Sequence, residues 1–293
     1  MASPFAVRFA VARERYGPLV LGADPHGAVL DAWGLTDDAD GLERFTDIVL
    51  AAAQGTVGLI KPQSAFYERH GWRGIRALTR LARTARSAGI LVILDVKRGD
   101  VGSTNDAYAQ AYLGAGAPVE ADAITVHPYL GLSAMGAFVD RAHLAGACLL
   151  VVTRSSNPEG RAVQAATSDG RSVEQRLLDD IGALNKTLAP GGIGPVGAVV
   201  APMPPDQPLD PPLDPPLDPP LDPPLDLAAA NALFLAPGLG AQGASPDDVA
   251  RTFAACPDRV MPSASRSLLA AGPDANALKH ATATLGDRLR TLL

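Results

Sequence analysis

Short apolar runs recur along the chain, separated by segments whose apolar residues follow helical spacing. The runs cover 19–24, 56–61, 90–97, 121–127, 147–153, 196–201, 232–236 and 259–263. Each is short and mostly apolar, as strands buried on both faces should be. Between most of them lie predicted helices at 41–54, 73–87, 105–113, 132–145, 172–188 and 246–255, and a last helix at 274–292 closes the chain. Strict alternation of strand and helix implies right-handed parallel crossovers. Eight such units predict an α/β fold, a closed (β/α)8 TIM barrel forming a single domain over 1–293. An open doubly wound sheet is the alternative if the strand count falls short.

One segment breaks the pattern. Over 208–226 the chain repeats Pro-Leu-Asp-Pro with a period of four. Proline at this density removes amide donors and forbids a helix, so an exposed, polyproline-like loop is expected. It falls between the sixth and seventh runs, where only 227–231 remains to supply a crossover helix. The segment reads as a low-complexity insertion tolerated on the surface. Its recurring Pro-x-x-P also fits a docking site for a proline-binding module, although the basic residues such ligands often carry are missing.

The third run carries the densest chemistry: LVILDVKRGDVGST, from Leu91 to Thr104. Alternation along a strand puts Leu91, Ile93, Asp95 and Lys97 on one face and Val92, Leu94 and Val96 on the other. A carboxylate and an ammonium on a buried strand are costly unless they pair or act. Asp100 follows, Gly99 and Gly102 allow the chain to turn, and Thr104 is expected to open the next helix at Asn105. One reading is a structural ion pair at a strand end. The other is a catalytic array in which a lysine flanked by two carboxylates stays protonated. Such a lysine suits proton donation, or a place beside developing negative charge, better than nucleophilic attack.

In a barrel of this kind the active site lies at the carboxyl ends of the strands. The polar residues at the run ends then gather on one face: Asp24, Lys61, Asp95, Lys97, His127 and Thr153, with Ser155 and Ser156 just beyond. His127, a lone histidine beside Pro128, reads as a structural residue. After the seventh run comes PGLGAQGASPDD, a glycine-rich loop feeding a helix in which Ser245 can cap, Pro246 fits the first position and Asp248 completes a capping box. Such loops can cradle phosphate with backbone N–H groups. The eighth run ends in SASRSLL, where Arg266 offers a planar fork suited to phosphate. Loops after strands seven and eight are the usual phosphate site of these barrels.

Bulk properties narrow the partners. The formal net charge of −6 leaves no basic footprint for nucleic acid or a membrane surface. The two cysteines, Cys148 and Cys256, make neither a disulfide framework nor a metal spacing, and read as buried thiols in a reducing compartment. The first residues, MASPFAVRFAVARERYG, read as an amphipathic helix rather than a signal peptide. With no run long enough to span a bilayer, a cytoplasmic location is expected.

Taken together, the motifs resemble the orotidine 5′-phosphate decarboxylase family, in particular its longer bacterial branch (type 2). The resemblance rests on GADPH at 22–26, IKPQSAFYE at 60–68, LDVKRGDVGST at 94–104, VTRSSNPEG at 152–160, PGLGAQG at 237–243 and SASRS at 263–267. The Asp-x-Lys-x-x-Asp element alone is shared with metal-dependent sugar-phosphate aldolases and decarboxylases of the same suprafamily, which stand as the alternative. Lys61 and the serine and glutamine motifs make the match specific.

The resemblance implies decarboxylation of orotidine 5′-phosphate to uridine 5′-phosphate, the last step of de novo UMP synthesis, with no metal or organic cofactor. It implies that Lys97 is the ammonium beside C6 that delivers the proton, with Asp95 near the substrate carboxylate. Lys61 and Asp100 complete the charge array. Asp24 and Thr104 contact ribose hydroxyls, Ser156 the pyrimidine amide, and Gln242, Ser265 and Arg266 the phosphate. It further implies a homodimer in which Asp100 and Thr104 reach the partner subunit's site. The chain departs from the family at VVAPMPP and the repeat, where relatives usually continue into a regular helix; none of these residues lies there.

Overall fold

A computed structural model describes residues 3–202, 225–240 and 243–293. Among the described residues ten strands are found: β1 (Val20–Ala23), β2 (Leu59–Pro62), β3 (Leu91–Arg98), β4 (Ala123–Val126), β5 (Cys148–Arg154), β6 (Thr167–Ser168), β7 (Arg171–Ser172), β8 (Val196–Val200), β9 (Phe234–Ala236) and β10 (Val260–Ala264). β6 and β7 form a small antiparallel hairpin. The other eight close a parallel barrel in the order β1-β2-β3-β4-β5-β8-β9-β10, with β10 pairing back onto β1. Every predicted run overlaps one barrel strand, so the closed barrel holds and the open sheet does not.

The two-residue period along each strand sorts side chains into two cores. Leu91 and Ile93 of β3 point into the barrel with Val20, Leu59, Leu150, Leu235 and Met261. Val92, Leu94 and Val96 point outward against the surrounding helices. The amino-terminal helix, Phe5–Tyr16, belongs to the inner core: Phe5, Phe9 and Ala12, one face at helical spacing, close the barrel's amino end. Gly58 permits this approach, since a Cβ there would lie 2.7 Å from the Ala12 methyl.

Helix boundaries follow the sequence pattern with three differences. The helix after β3 runs Gly102–Tyr112, so Thr104 sits inside its first turn and does not open it. The reason is Asn105, fully buried, whose side chain ties the Asp100 backbone and replaces a threonine cap. The expected 132–145 helix divides into a 3-10 turn, Leu132–Met135, and an α-helix, Gly136–Ala145. Short helices also follow β1 (Gly27–Ala32), β2 (Ala65–Glu68) and β10 (Arg266–Leu269). Between β8 and β9, the described residues contain only the 3-10 turn Ala228–Ala230. The repeat up to residue 224 lies outside the described residues. Among the described residues, no helix is long and apolar enough to cross a membrane.

Candidate active site

The site is built around the carboxyl end of β3. Asp95 is buried and accepts four hydrogen bonds, two on each oxygen. Oδ2 receives Lys61 Nζ at 3.1 Å and Gln63 Nε2 at 3.2 Å. Oδ1 receives Lys97 Nζ at 2.6 Å and Thr125 Oγ1 at 2.7 Å. Burial alone would raise the carboxyl's pKa, but the charges of Lys61 and Lys97 outweigh it and hold Asp95 well below the usual carboxylate range. Burial likewise works against the Lys61 ammonium, and Asp24 and Asp95 overcome it, so its pKa is raised. Both groups are therefore charged at neutral pH. Lys97 differs from Lys61 in exposure: its side chain is 41% accessible, against 9% for Lys61.

Lys97 also has an uncommon backbone, with φ of +43°. For a non-glycine residue that conformation is strained and needs support from its surroundings. The β3–β4 register is irregular here. Leu94 pairs with Ile124 and Arg98 with Val126, so β3 carries surplus residues, as in a β-bulge. Bulges re-aim side chains, and this one turns Lys97 back toward Asp95.

An open cavity of about 610 Å³ covers this row, lined by Asp24, Lys61, Asp95, Lys97, Ser156, Ser265 and Arg266 among others. Asp24 Oδ1 accepts the Gln63 backbone N–H at 3.2 Å, which links the ends of β1 and β2. Gly22 lets the two rims meet, because a Cβ there would come within 2.5 Å of the Ser265 Cβ. Ser265 Oγ is buried with no hydrogen-bond partner among the described residues, and so is a donor available to a ligand. Beyond it, the Ser245–Asp248 capping box is formed as expected, with Pro246 in the first turn.

The structure thus brings together Asp24, Lys61, Asp95, Lys97, Ser156, Ser265 and Arg266. Asp100 and Thr104 do not join them. Asp100 Oδ1 accepts from Val101 N–H at 2.7 Å, and Thr104 is exposed on the helix surface. Gln242 lies outside the described residues. His127 does not line the cavity; partial burial and the Lys97 charge push its pKa down, leaving it neutral at neutral pH.

Other contributors were not singled out from the sequence. Gln63 sits inside the IKPQSAFYE motif, which was its only signal, and Thr125 is a single polar residue in an apolar strand. Arg154 forms a bidentate pair with buried Glu174, at 2.8 Å for both bonds, and Arg161 joins the same carboxylate at 3.1 Å. With Gln164, which bonds the Ser155 backbone and hydroxyl, they anchor the loop that carries Ser156.

Comparison with known proteins agrees with this geometry. Residues 17–281 match the model of the "Orotidine 5′-phosphate decarboxylase / HUMPS family". The chain belongs to the orotidine 5′-phosphate decarboxylase / HUMPS family. An orotidine 5′-phosphate decarboxylase of Salinispora arenicola is 46% identical over 278 residues, 94% of each chain. One from Streptomyces coelicolor is 43% identical over 98% of each chain. Among solved structures, a protein of Streptomyces avermitilis assigned as an orotidine 5′-phosphate decarboxylase superposes with a TM-score of 0.87 at 41% identity, covering 99% of this chain and 96% of that one. A Leishmania donovani structure, at 22% identity and a TM-score of 0.72, shares the fold. Within this family frame, both the barrel and the row of charges at its carboxyl end were legible in the motifs.

Proposed function

We propose that this protein decarboxylates orotidine 5′-phosphate to uridine 5′-phosphate and carbon dioxide. The observation that carries the reading is the ion-paired Lys61–Asp95–Lys97 row on the floor of the cavity, in a chain of this family. When the bond from C6 to the carboxylate breaks, the electron pair stays on C6 and has no ring orbital to enter. Fixed charge must stabilise it. Lys97, partly exposed to the cavity and held by Asp95, supplies an ammonium at that position and then transfers its proton to C6. Solvent reprotonates the amine. Asp95, kept ionised, sits beside the substrate carboxylate and disfavours the bound ground state relative to the charge-dispersed transition state. Ser265 and Arg266, with Gln242, hold the phosphate; Ser156 meets the pyrimidine amide and Asp24 a ribose hydroxyl.

Asp100 and Thr104 stand apart from their own chain's cavity, which supports their serving the site of a partner subunit in a homodimer. Mixing tests this. Lys97→Ala and Asp100→Ala proteins should each be nearly inactive. After random re-assortment, roughly a quarter of all sites regain both residues, and that share of activity should return. No recovery, with mixed dimers confirmed by mass spectrometry, would refute the shared site.

The function itself is tested by following the loss of orotidine 5′-phosphate absorbance with the purified protein, with and without a chelator. Turnover that survives chelation is expected. Absence of turnover would overturn the reading, and turnover abolished by the chelator would point instead to a metal-dependent member of the suprafamily.

A further inference from the structure

We propose that Thr125, a residue of β4 with no charge of its own, is the positioning residue that sets the reactive geometry of Lys97. The inference rests on the decarboxylase reading above. Its hydroxyl makes two hydrogen bonds whose directions are forced. The Lys97 backbone N–H can only donate, and it reaches Thr125 Oγ1 at 3.0 Å. The ionised Asp95 carboxylate can only accept, so at 2.7 Å the hydroxyl proton must point to Oδ1. One hydroxyl thus acts as acceptor for the lysine's main chain and donor to the lysine's counter-ion.

The location explains why this matters. Thr125 lies between Ile124 and Val126, the two residues that pair with Leu94 and Arg98 across the bulge. The bulge takes the Lys97 N–H out of regular ladder pairing, and the threonine oxygen satisfies it. Without that acceptor, the left-handed φ of Lys97 loses a support and the strand can relax toward ordinary extended geometry. The aim of the ammonium would change with it.

The second bond matters during the reaction. Lys97 shares Oδ1 with Thr125, and must leave that oxygen at least partly as it delivers its proton. Thr125 on Oδ1, with Lys61 and Gln63 on Oδ2, keeps the carboxylate in place at that moment. Thr125 itself is buried at 1% exposure, so water does not readily take its part.

Only a β-hydroxyl can make both bonds, which gives a sharp test. Thr125→Val keeps the shape and removes the hydroxyl, Thr125→Ala removes it without filling the space, and Thr125→Ser restores it. The Val and Ala proteins should lose on the order of 10- to 100-fold in kcat, the scale of a hydrogen bond to a charged group, while affinity for uridine 5′-phosphate stays within about twofold. The Ser protein should recover to within about threefold of wild type. Val and Ala proteins within about threefold of wild type, or a Ser protein as impaired as Val, would overturn the proposal. A purely structural role would lower melting temperature and active fraction in all three variants alike, without separating kcat from product affinity.

A crystal structure of the Ala protein supplies a readout that does not depend on activity. Lys97 should leave the left-handed region, and its persistence there with Asp95 unmoved would count decisively against Thr125. Failure of the wild-type protein to turn over orotidine 5′-phosphate would instead refute the functional reading, and the backbone test of Thr125 would still stand.

Discussion

The barrel buries two aspartates of similar surroundings at opposite ends, and they do different work. Asp95, at the carboxyl end, faces the ammoniums of Lys61 and Lys97. Asp122, just before β4 at the amino end, faces the guanidiniums of Arg8 and Arg86 and accepts the Val92 backbone N–H at 2.9 Å. Each is a buried anion between two cations, and in each case the pairing offsets the cost of leaving water. The cations differ. A guanidinium keeps its proton under all ordinary conditions and binds through a rigid fork, so Arg8 can only fasten. It pins the amino-terminal helix, whose Phe5 and Phe9 seal the barrel, to the strand layer and to the Gly146 carbonyl at 2.9 Å. A lysine can hand over its proton, and Lys97, its side chain 41% accessible, is the most exposed of the four and lines the open cavity above Asp95. A buried anion is common to both ends; readily exchanged protons belong to one.

Substitutions that exchange cation types should separate these roles. Lys97→Ala should reduce kcat by on the order of 1,000-fold or more, about 4 kcal/mol, as for the loss of a major preorganised charge. Lys97→Arg should be nearly as inactive, because it keeps the charge and withholds the proton. Steady-state kinetics alongside uridine 5′-phosphate binding measures both, and an active Arg variant would show that charge alone suffices.

At the other end the pattern should reverse. Asp122→Ala takes a carboxylate from Arg8 and Arg86 and leaves the buried Val92 N–H without its acceptor, and should cost ~1–3 kcal/mol of stability in urea unfolding. The kcat of the protein that remains folded should be unchanged. Arg8→Lys keeps the charge there and should cost only about 1 kcal/mol, through loss of the fork that reaches both Asp122 and Gly146. A large fall in kcat for either variant would mean that the two ends are coupled.

The smallest effect concerns pH. Because the folded Asp95 has a lowered pKa, its stabilising contribution is present above the unfolded carboxyl value of about 3.9 and is lost as pH falls from there through the folded value. Lys61 has a raised folded pKa, so its contribution is complete below the unfolded value of about 10.4 and is lost as pH rises through the folded one. Between about pH 5 and 9 neither should titrate. The stability difference between wild type and Asp95→Asn should therefore be flat across that window and shrink below about pH 4, as urea unfolding at several pH values would reveal.

Much of this architecture was readable along the chain because it depends on local repetition. Alternation with period two placed Leu91, Ile93, Asp95 and Lys97 on one face of a single strand, and they remain there in the barrel. The capping box at Ser245 and Asp248 is likewise complete within four consecutive positions. Thr104 shows where local reasoning stops. A threonine before a helix is a reasonable cap, but Asn105 is held by the Ala134 carbonyl 29 residues away, and that tie moves the helix start to Gly102.

The contacts that single out Lys97 from the other lysines are of the long-range kind. Gln63 meets Asp95 across 32 positions and Thr125 meets Lys97 across 28. Arg8 meets Asp122 across 114. No spacing in the chain announces these pairs. They follow from how far each strand is offset from its neighbour when the sheet closes, and from the bulge that shifts β3 against β4. Side-chain period is a property of one strand, and a strand carries it wherever it goes. Strand offset is a property of the closed barrel, set by packing all eight strands around one interior. The amino-acid order therefore settled which residues could face the cavity, and closure of the barrel settled which of them touch.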